Sequence, residues 1–350
     1  MSPKTKQIIA IGLAALFVFG TVYVGCDSKP PKPDPKPPVK PVRAEIIAPD
    51  FNADSAYAFV KKQVDFGPRV PNLASHTNCG DWLEQTMQQY GAEVTAQRAT
   101  VMNREGKNIE VRNIICQFQK EKAERVMLCA HWDTRPIAEK DKNTNMQNKP
   151  IDGANDGASG VGVLLEIARQ LQLSPSNIGV DIILFDAEDN GMSERDVEAG
   201  VDEILNPDFE TTWCLGSQYW SFNKHERNYN PRFGICLDMV GAADATFYME
   251  GTSMNKAPDV MNLVWNTAAK LGYDTYFKKE EVAGVTDDHS YVNRGGVRCI
   301  DIIDVRPMAM GLGHYLFGPY HHTHQDNMKI IDTYTLKAVG QTVMQVIYNQ

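Results

Sequence analysis

The sequence predicts an α/β sandwich, with a central, mostly parallel, mixed β-sheet flanked by helices. Three observations predict it. Short runs apolar on both faces, such as Arg125-Val126-Met127-Leu128-Cys129-Ala130, suit strands buried from two sides. Other stretches carry apolar residues three and four apart, as in Val161, Leu164, Leu165, Ala168 and Leu171, the period of a helix with one buried face. The two kinds of segment alternate, the order that lays helices over a parallel sheet. With 350 residues and 43% hydrophobic content, the chain can bury a large core. A net charge of -9, with no basic cluster in the body, excludes nucleic acid as an expected partner.

In chain order, Lys4 and Lys6 precede an apolar run from Ile8 to Val24 that ends at Gly25-Cys26, so residues 1–25 read as a secretory signal peptide. An uncleaved anchor helix is the alternative, because the run is nearly long enough to span a bilayer. Residues 26–45 include a proline-dense stretch from Ser28 to Val42, which favours extended polyproline II and reads as a stiff tether. One domain is expected over 46–350, outside the cytoplasm. Asp54 is expected to cap a helix carrying Tyr57, Val60 and Val64 that stops at Phe66-Gly67-Pro68, and a second helix runs from about His76 to Gly91. Strands are expected near 93–101, 109–118, 125–130, 178–185, 232–239 and 297–303. Further helices are expected after Asp156, from Gly216, at 257–271 and from Asp332 to the end. Asn190 to Thr212 is acidic and aperiodic and reads as a surface excursion near the site. Cys79, Cys116, Cys129, Cys214, Cys236 and Cys299 are even in number, which permits disulfides outside the cytoplasm. Those in strand-like runs read as small core hydrophobes, and no Cys-x-x-Cys pair points to metal or redox chemistry.

The stretch from Asp152 to Gly160, rich in glycine, makes a tight turn that delivers Asp156 to the mouth of a helix. A lone aspartate there is ordinarily a helix cap. Asp156 has company. His131-Trp132-Asp133 ends one apolar run, Asp186-Ala187-Glu188-Asp189 ends another, Asp238 follows Gly234-Ile235-Cys236-Leu237, and His321-His322-Thr323-His324 lies near the C-terminus. Open α/β sheets bind ligands at the carboxyl ends of their strands, and acids with histidines are zinc ligands. Singly, each residue has a plainer reading as a solvated loop acid or a histidine bonded to a carbonyl. Their recurrence at strand ends argues for one shared site.

The order His131-x-Asp133, Gly-Ala-Asn-Asp156, Glu188-Asp189, Leu-Asp238-Met and His322 resembles the M28-type zinc aminopeptidase superfamily. Ala130-His131-Trp132-Asp133-Thr134-Arg135-Pro136, Asp287-Asp288-His289 and His322-Thr323-x-x-Asp326-Asn327 resemble its bacterial glutaminyl cyclase branch. The resemblance covers about Ala53 to Ile347 and implies a three-layer, zinc-exopeptidase-like sandwich. It implies zinc on Asp156, Asp189 and His322, with an aspartate at 189 where relatives often carry glutamate, and Glu188 as general base. In the cyclase branch one zinc is expected, with Asp238 and Asp287 hydrogen-bonded around the base. The substrates are peptides or proteins with N-terminal glutamine, converted to pyroglutamate with loss of ammonia. In an aminopeptidase, His131 and Asp238 would complete a second zinc bridged by Asp156, and water would be the nucleophile. A lipoprotein that only binds peptides is a third reading, against which the survival of Asp156, Glu188, Asp189 and His322 argues. Asp133 is expected to orient His131, and Asp301 to support the site from behind. Trp132, Trp213, Trp220 and Tyr320 are expected to wall the pocket, with ordinary core packing as the alternative; His321 stands where the family has tryptophan. His76 and His225 are expected on the surface, and His289, His314 and His324 without a metal role. Cys26 resembles a bacterial lipoprotein acylation site, which implies a membrane-anchored protein of the cell envelope, in the periplasm or on the outer surface.

Overall fold

Alternation along the strands decides the layers. In β3 (Arg125–His131), Val126, Leu128 and Ala130 enter one large apolar cluster, while Met127 and Cys129 enter a second cluster on the opposite face. In β4 (Gly179–Phe185), Val180, Ile182 and Leu184 share the first cluster, and Ile183 and Phe185 the second. The remaining strands of this sheet are β1 (Glu93–Met102), β2 (Asn108–Phe118), β5 (Gly234–Asp238) and β8 (Cys299–Ile303). Their order is β1-β2-β4-β3-β5-β8. β4, β3, β5 and β8 run parallel, and β2 pairs antiparallel with both β1 and β4. The computed structural model describes residues 46–193, 196, 212–308 and 315–350. The signal, lipidation and tether expectations at 1–45, most of the 190–212 excursion and His314 lie outside the described residues.

Helices cover both faces. α1 (Ala53–Val64), α2 (Ala74–Gln89), α3 (Ala158–Leu173), α6 (Pro258–Lys270) and α8 (Thr333–Tyr348) pack into the larger cluster. α4 (Leu215–Phe222) and α7 (Asp288–Arg294) supply Trp220 and Val292 to the smaller one. α3 is buried on nearly every side, and each enclosed Leu, Val or Ile contributes roughly 1.5–3 kcal/mol. This is the three-layer α/β sandwich expected from the sequence.

Several details differ from expectation. α1 is capped by Asn52, whose side chain accepts from Ser55 N at 3.0 Å; Asp54 instead sits in the first turn, favourably near the positive helix end. β6 (Phe247–Glu250), α5 (Gly251–Lys256), β7 (Phe277–Val282), β9 (Val305–Pro307) and β10 (Tyr315–Phe317) are short and carried no readable period. The six described cysteines are buried free thiols, so no disulfide forms among the described residues. His76 is buried against Asp186 at 2.9 Å, because α2 turns that face to the sheet. His225 accepts from Trp220 Nε1 at 3.2 Å and is only half-exposed.

Candidate active site

The parallel strands end side by side and carry the site residues with them. β3 ends on His131 and β5 on Asp238; β4 ends three residues before Glu188. Asp186 stabilises the turn after β4 by accepting from Arg112 N at 2.6 Å and Ala187 N at 2.8 Å. Ala187, Met239 and His322 have φ of 53°, 50° and 55°, a region that residues with a Cβ seldom occupy and that recurs where sites impose strain. These sharp turns aim the neighbouring carboxylates and the His322 ring. Gly157, at φ 87°, follows Asp156; a Cβ there would stand 2.8 Å from Asp133 O and 3.0 Å from His131 Cε1. Only glycine fits. The Asp156 loop is held from two sides. Asn155 N and Asp156 N donate to the Asp326 carboxylate at 2.7 and 3.0 Å, and the buried Arg69 donates to Gly153 O at 2.7 Å.

His322 Nε2 lies 3.1 Å from Asp189 Oδ1 and 3.8 Å from Asp156 Oδ2. Its Nδ1 donates to Glu139 Oε1 at 2.7 Å, which fixes the tautomer and leaves the Nε2 lone pair facing the two aspartates. Glu139 is itself gripped by Arg135 at 2.9 and 3.2 Å. His131 Nε2 lies 3.1 Å from Asp156 Oδ1 and 3.2 Å from Asp238 Oδ1, with Nδ1 3.4 Å from Asp133 Oδ1. The Asp133 carboxylate also accepts from Glu188 N at 3.0 Å and Asp189 N at 3.2 Å, so it ties His131 to the Glu188-Asp189 turn. Ligand-type atoms of His131, Asp156 and Asp238 lie within 4.8 Å of one another, as do those of Asp156, His321 and His322, of Glu188, Cys214 and Asp287, and of Cys236, Asp287 and Asp301.

Acids outnumber cations here, and the electrostatics follow. Burial, joined by the charges of Asp287, Asp189 and Asp288, pushes the Glu188 carboxyl well above its ordinary value against the pull of His131. Burial raises Asp238 to about 7, with His131 opposing, and burial with Asp287 and Asp238 raises Asp301 well up. Burial disfavours a charged His131, yet Asp133, Asp156 and Asp238 outweigh it and hold the imidazole well above its usual range. Burial opposes charge on Glu139 as a carboxylate too, but His322 and Arg135 hold it well below the carboxylate range. Both Asp189 oxygens are buried without a directed hydrogen bond. Two orphaned carboxylate oxygens, a second carboxylate and an imidazole nitrogen with its lone pair free are a donor set that fits a zinc ion.

The structure thus brings together Asp156, Glu188, Asp189, Asp238, Asp287 and His322, with His131, Asp133 and Asp301 beside them. The aromatic wall needs correction. Trp213 stands at the site: its ring stacks on His322 at 5.8 Å and 7°, and the Arg135 guanidinium lies 4.4 Å over it. Trp132 does not line a pocket; it is fully buried, donates to Arg112 O at 3.1 Å and stacks on His76. Trp220 packs in the core between Phe185 and Tyr229. Tyr320 is buried with its hydroxyl on Asp304. His321 stacks on His322 at 3.7 Å and accepts from Lys140 at 2.9 Å. His289 lies between Glu250 at 3.3 Å and Asp301 at 3.6 Å, and His324 pairs with Asp141. Sequence reasoning missed Glu139, Arg135, Arg69 and Cys214; only Arg135 and Glu139 left a signal, an opposite-charge pair four residues apart.

Fold and site define a class: α/β sandwiches that carry a carboxylate-and-histidine metal centre at the ends of parallel strands. The chain belongs to peptidase family M28, whose family model matches residues 113–347. A solved glutaminyl cyclase of Bacteroides thetaiotaomicron, bound to N-acetylhistamine, is 48% identical, covers 87% of this chain and 99% of its own, and has a TM-score of 0.80. A Zn-dependent exopeptidase of Parabacteroides distasonis is 46% identical, covers 87% of this chain and 100% of its own, and also has a TM-score of 0.80. An aminopeptidase of Bacillus subtilis is 24% identical over 304 residues, 80% of this chain; the chain spans 54% of that relative's length.

Proposed function

We propose that the chain is a zinc-dependent glutaminyl-peptide cyclotransferase, which converts the N-terminal glutamine of peptides and proteins to pyroglutamate and releases ammonia. One observation carries the reading. Glu188 stands within 4.8 Å of Asp287, in a buried acidic setting that lifts its carboxyl, next to the Asp156, Asp189 and His322 donors. A carboxyl lifted in this way takes and holds a proton more readily than a solvated one, which suits transfer between two nitrogens. The solved glutaminyl cyclase, similar over nearly its whole length, supports the same reading.

Asp156, Asp189 and His322 would hold one zinc ion, three protein ligands with a position left for substrate. Bound there, zinc supplies Lewis acidity toward the glutamine side-chain carbonyl. The proton work falls to the chain. As the peptide's α-amine bonds to the side-chain amide carbon, Glu188 takes the amine's proton. It then returns that proton to the amide nitrogen as the old C–N bond breaks, ammonia leaves, and the lactam ring remains. Asp287 stands beside the base and, with Asp288, keeps it proton-avid; Asp238 and Asp133 hold His131 beside Asp156. Trp213, stacked beside His322, would give that side of the site an apolar wall for the glutamine stem.

A dizinc aminopeptidase is the second reading, and the close grouping of His131, Asp156 and Asp238 favours it. There two zinc ions would be needed and water would be the nucleophile. The complete donor set with a lifted base argues against a protein that only binds peptides. Residues 1–25 as a signal peptide, a lipid on Cys26 and a tether to residue 45 would place the domain over 46–350 at a membrane of the bacterial envelope, in the periplasm or on the outer surface. That placement is supported by the sequence pattern. The test of function offers purified protein a Gln-peptide and a Leu-peptide in parallel. Ammonia and pyroglutamyl peptide from the first alone support the cyclase, whereas free leucine from the second moves the chain to the aminopeptidases.

A further inference from the structure

The start of α4 is laced to the turn after β4. Cys214, Leu215 and Gly216 donate their backbone N–H groups to the carbonyls of Glu188, Ala187 and Asp186 at 2.9, 3.0 and 2.9 Å. This ladder sets Cys214 beside Glu188, with its Sγ 3.2 Å from Glu188 Oε1. Cys214 is fully buried and has φ of 55°, a left-handed backbone in which a side chain is crowded and which glycine or asparagine would adopt more readily. The position therefore carries its thiol at a conformational cost. Sulfur accepts hydrogen bonds poorly, and burial with the nearby acids keeps this thiol protonated, so the S–H is the donor and the carboxylate the acceptor.

We propose that Cys214 is a positioning residue for Glu188: its S–H occupies Oε1 and reserves Oε2 as the oxygen that takes and returns the proton. The inference rests on the cyclase reading above. A carboxylate turns easily about its last torsion and can present either oxygen. A donor bound to one oxygen selects the other. The backbone ladder fixes where Glu188 starts, and the thiol fixes how its head is turned.

Cys214→Gly and Cys214→Ser test this. Glycine accepts the left-handed backbone without steric cost and removes the donor; serine keeps a donor in its place. In the Gly variant kcat for a Gln-peptide should fall about tenfold, with KM and zinc content unchanged and Tm not lowered. The Ser variant should stay within about threefold of wild type. Wild-type kcat in the Gly variant, equal losses in both variants, or a loss confined to KM or zinc content would each overturn the inference. Failure of the cyclase reading shows separately, as a wild-type protein that forms no pyroglutamate from the Gln-peptide.

Discussion

Glu139 reaches His322 across 183 residues of sequence, and it decides which nitrogen of that imidazole is free. Replacing it by glutamine removes a carboxylate that orients the ring and strengthens its donor power. We expect Glu139→Gln to weaken zinc binding about 10–100-fold, measured by competition with a chelator. Unchanged affinity would mean that stacking against Trp213 and His321 alone holds the ring. Glu188→Gln keeps the size of the base but cannot relay a proton. Ammonia release from a Gln-peptide should drop at least about 100-fold with zinc content intact. At this scale the sequence was readable where a charged residue ended an apolar run, as at His131, Glu188 and Asp238. It did not reveal the partners of Glu139 and Asp326, which are far away along the chain. It also misplaced Trp132, because residue type does not reveal a face: one position beyond His131, the side chain points to the opposite side of the strand direction, into the core.

α3 meets the sheet at Gly160, where an added Cβ would stand 2.3 Å from Leu237 O and 3.0 Å from the Ala130 Cβ. Gly160→Ala should push the helix off β5 and cost about 1–3 kcal/mol, read as a lowered urea midpoint. Because α3 begins two residues after Asp156, zinc affinity should fall with it. Around α5, the buried Glu250 accepts from Thr252 N at 2.8 Å and Val285 N at 3.0 Å and lies against His289. Burial opposes its charge, but His289, Ser253 and Val285 N hold its pKa down to about 2. The folded value lies below the unfolded one, so its stabilisation is present above pH ~4.5 and is lost as pH falls toward ~2, roughly 3 kcal/mol across that window. Unfolding free energy measured over that range should fall for wild type and fall less for Glu250→Gln; parallel curves would refute the assignment. Long elements were legible because burial gave them a period. β7, Phe277-Lys278-Lys279-Glu280-Glu281-Val282, buries only its ends, so no alternation marked it.

Across the whole molecule, the sheet order β4-β3-β5-β8 gathers residues from 131 to 322 into one site where acids outnumber cations. The three layers were legible from local patterns, but the strand order joins distant segments and leaves no local trace. Such a site should be stabilised by its metal in a pH-dependent way. Burial and Asp189 raise the Asp156 carboxyl, and Asp189 raises His322 against burial. To act as ligands, Asp156 must be ionised and His322 neutral, so zinc binding expels protons. The Tm gained on adding zinc should therefore be larger at pH ~8 than at pH ~5.5, and equal gains would contradict the ligand assignment.

Cyclisation at one metal centre is tested most directly by a zinc titration of metal-depleted protein followed by ammonia release from a Gln-peptide. Activity should rise to a plateau at one zinc per chain, with no free amino acid from a Leu-peptide at any loading. Activity that needs a second equivalent, accompanied by release of free leucine, would contradict it and make His131 and Asp238 ligands.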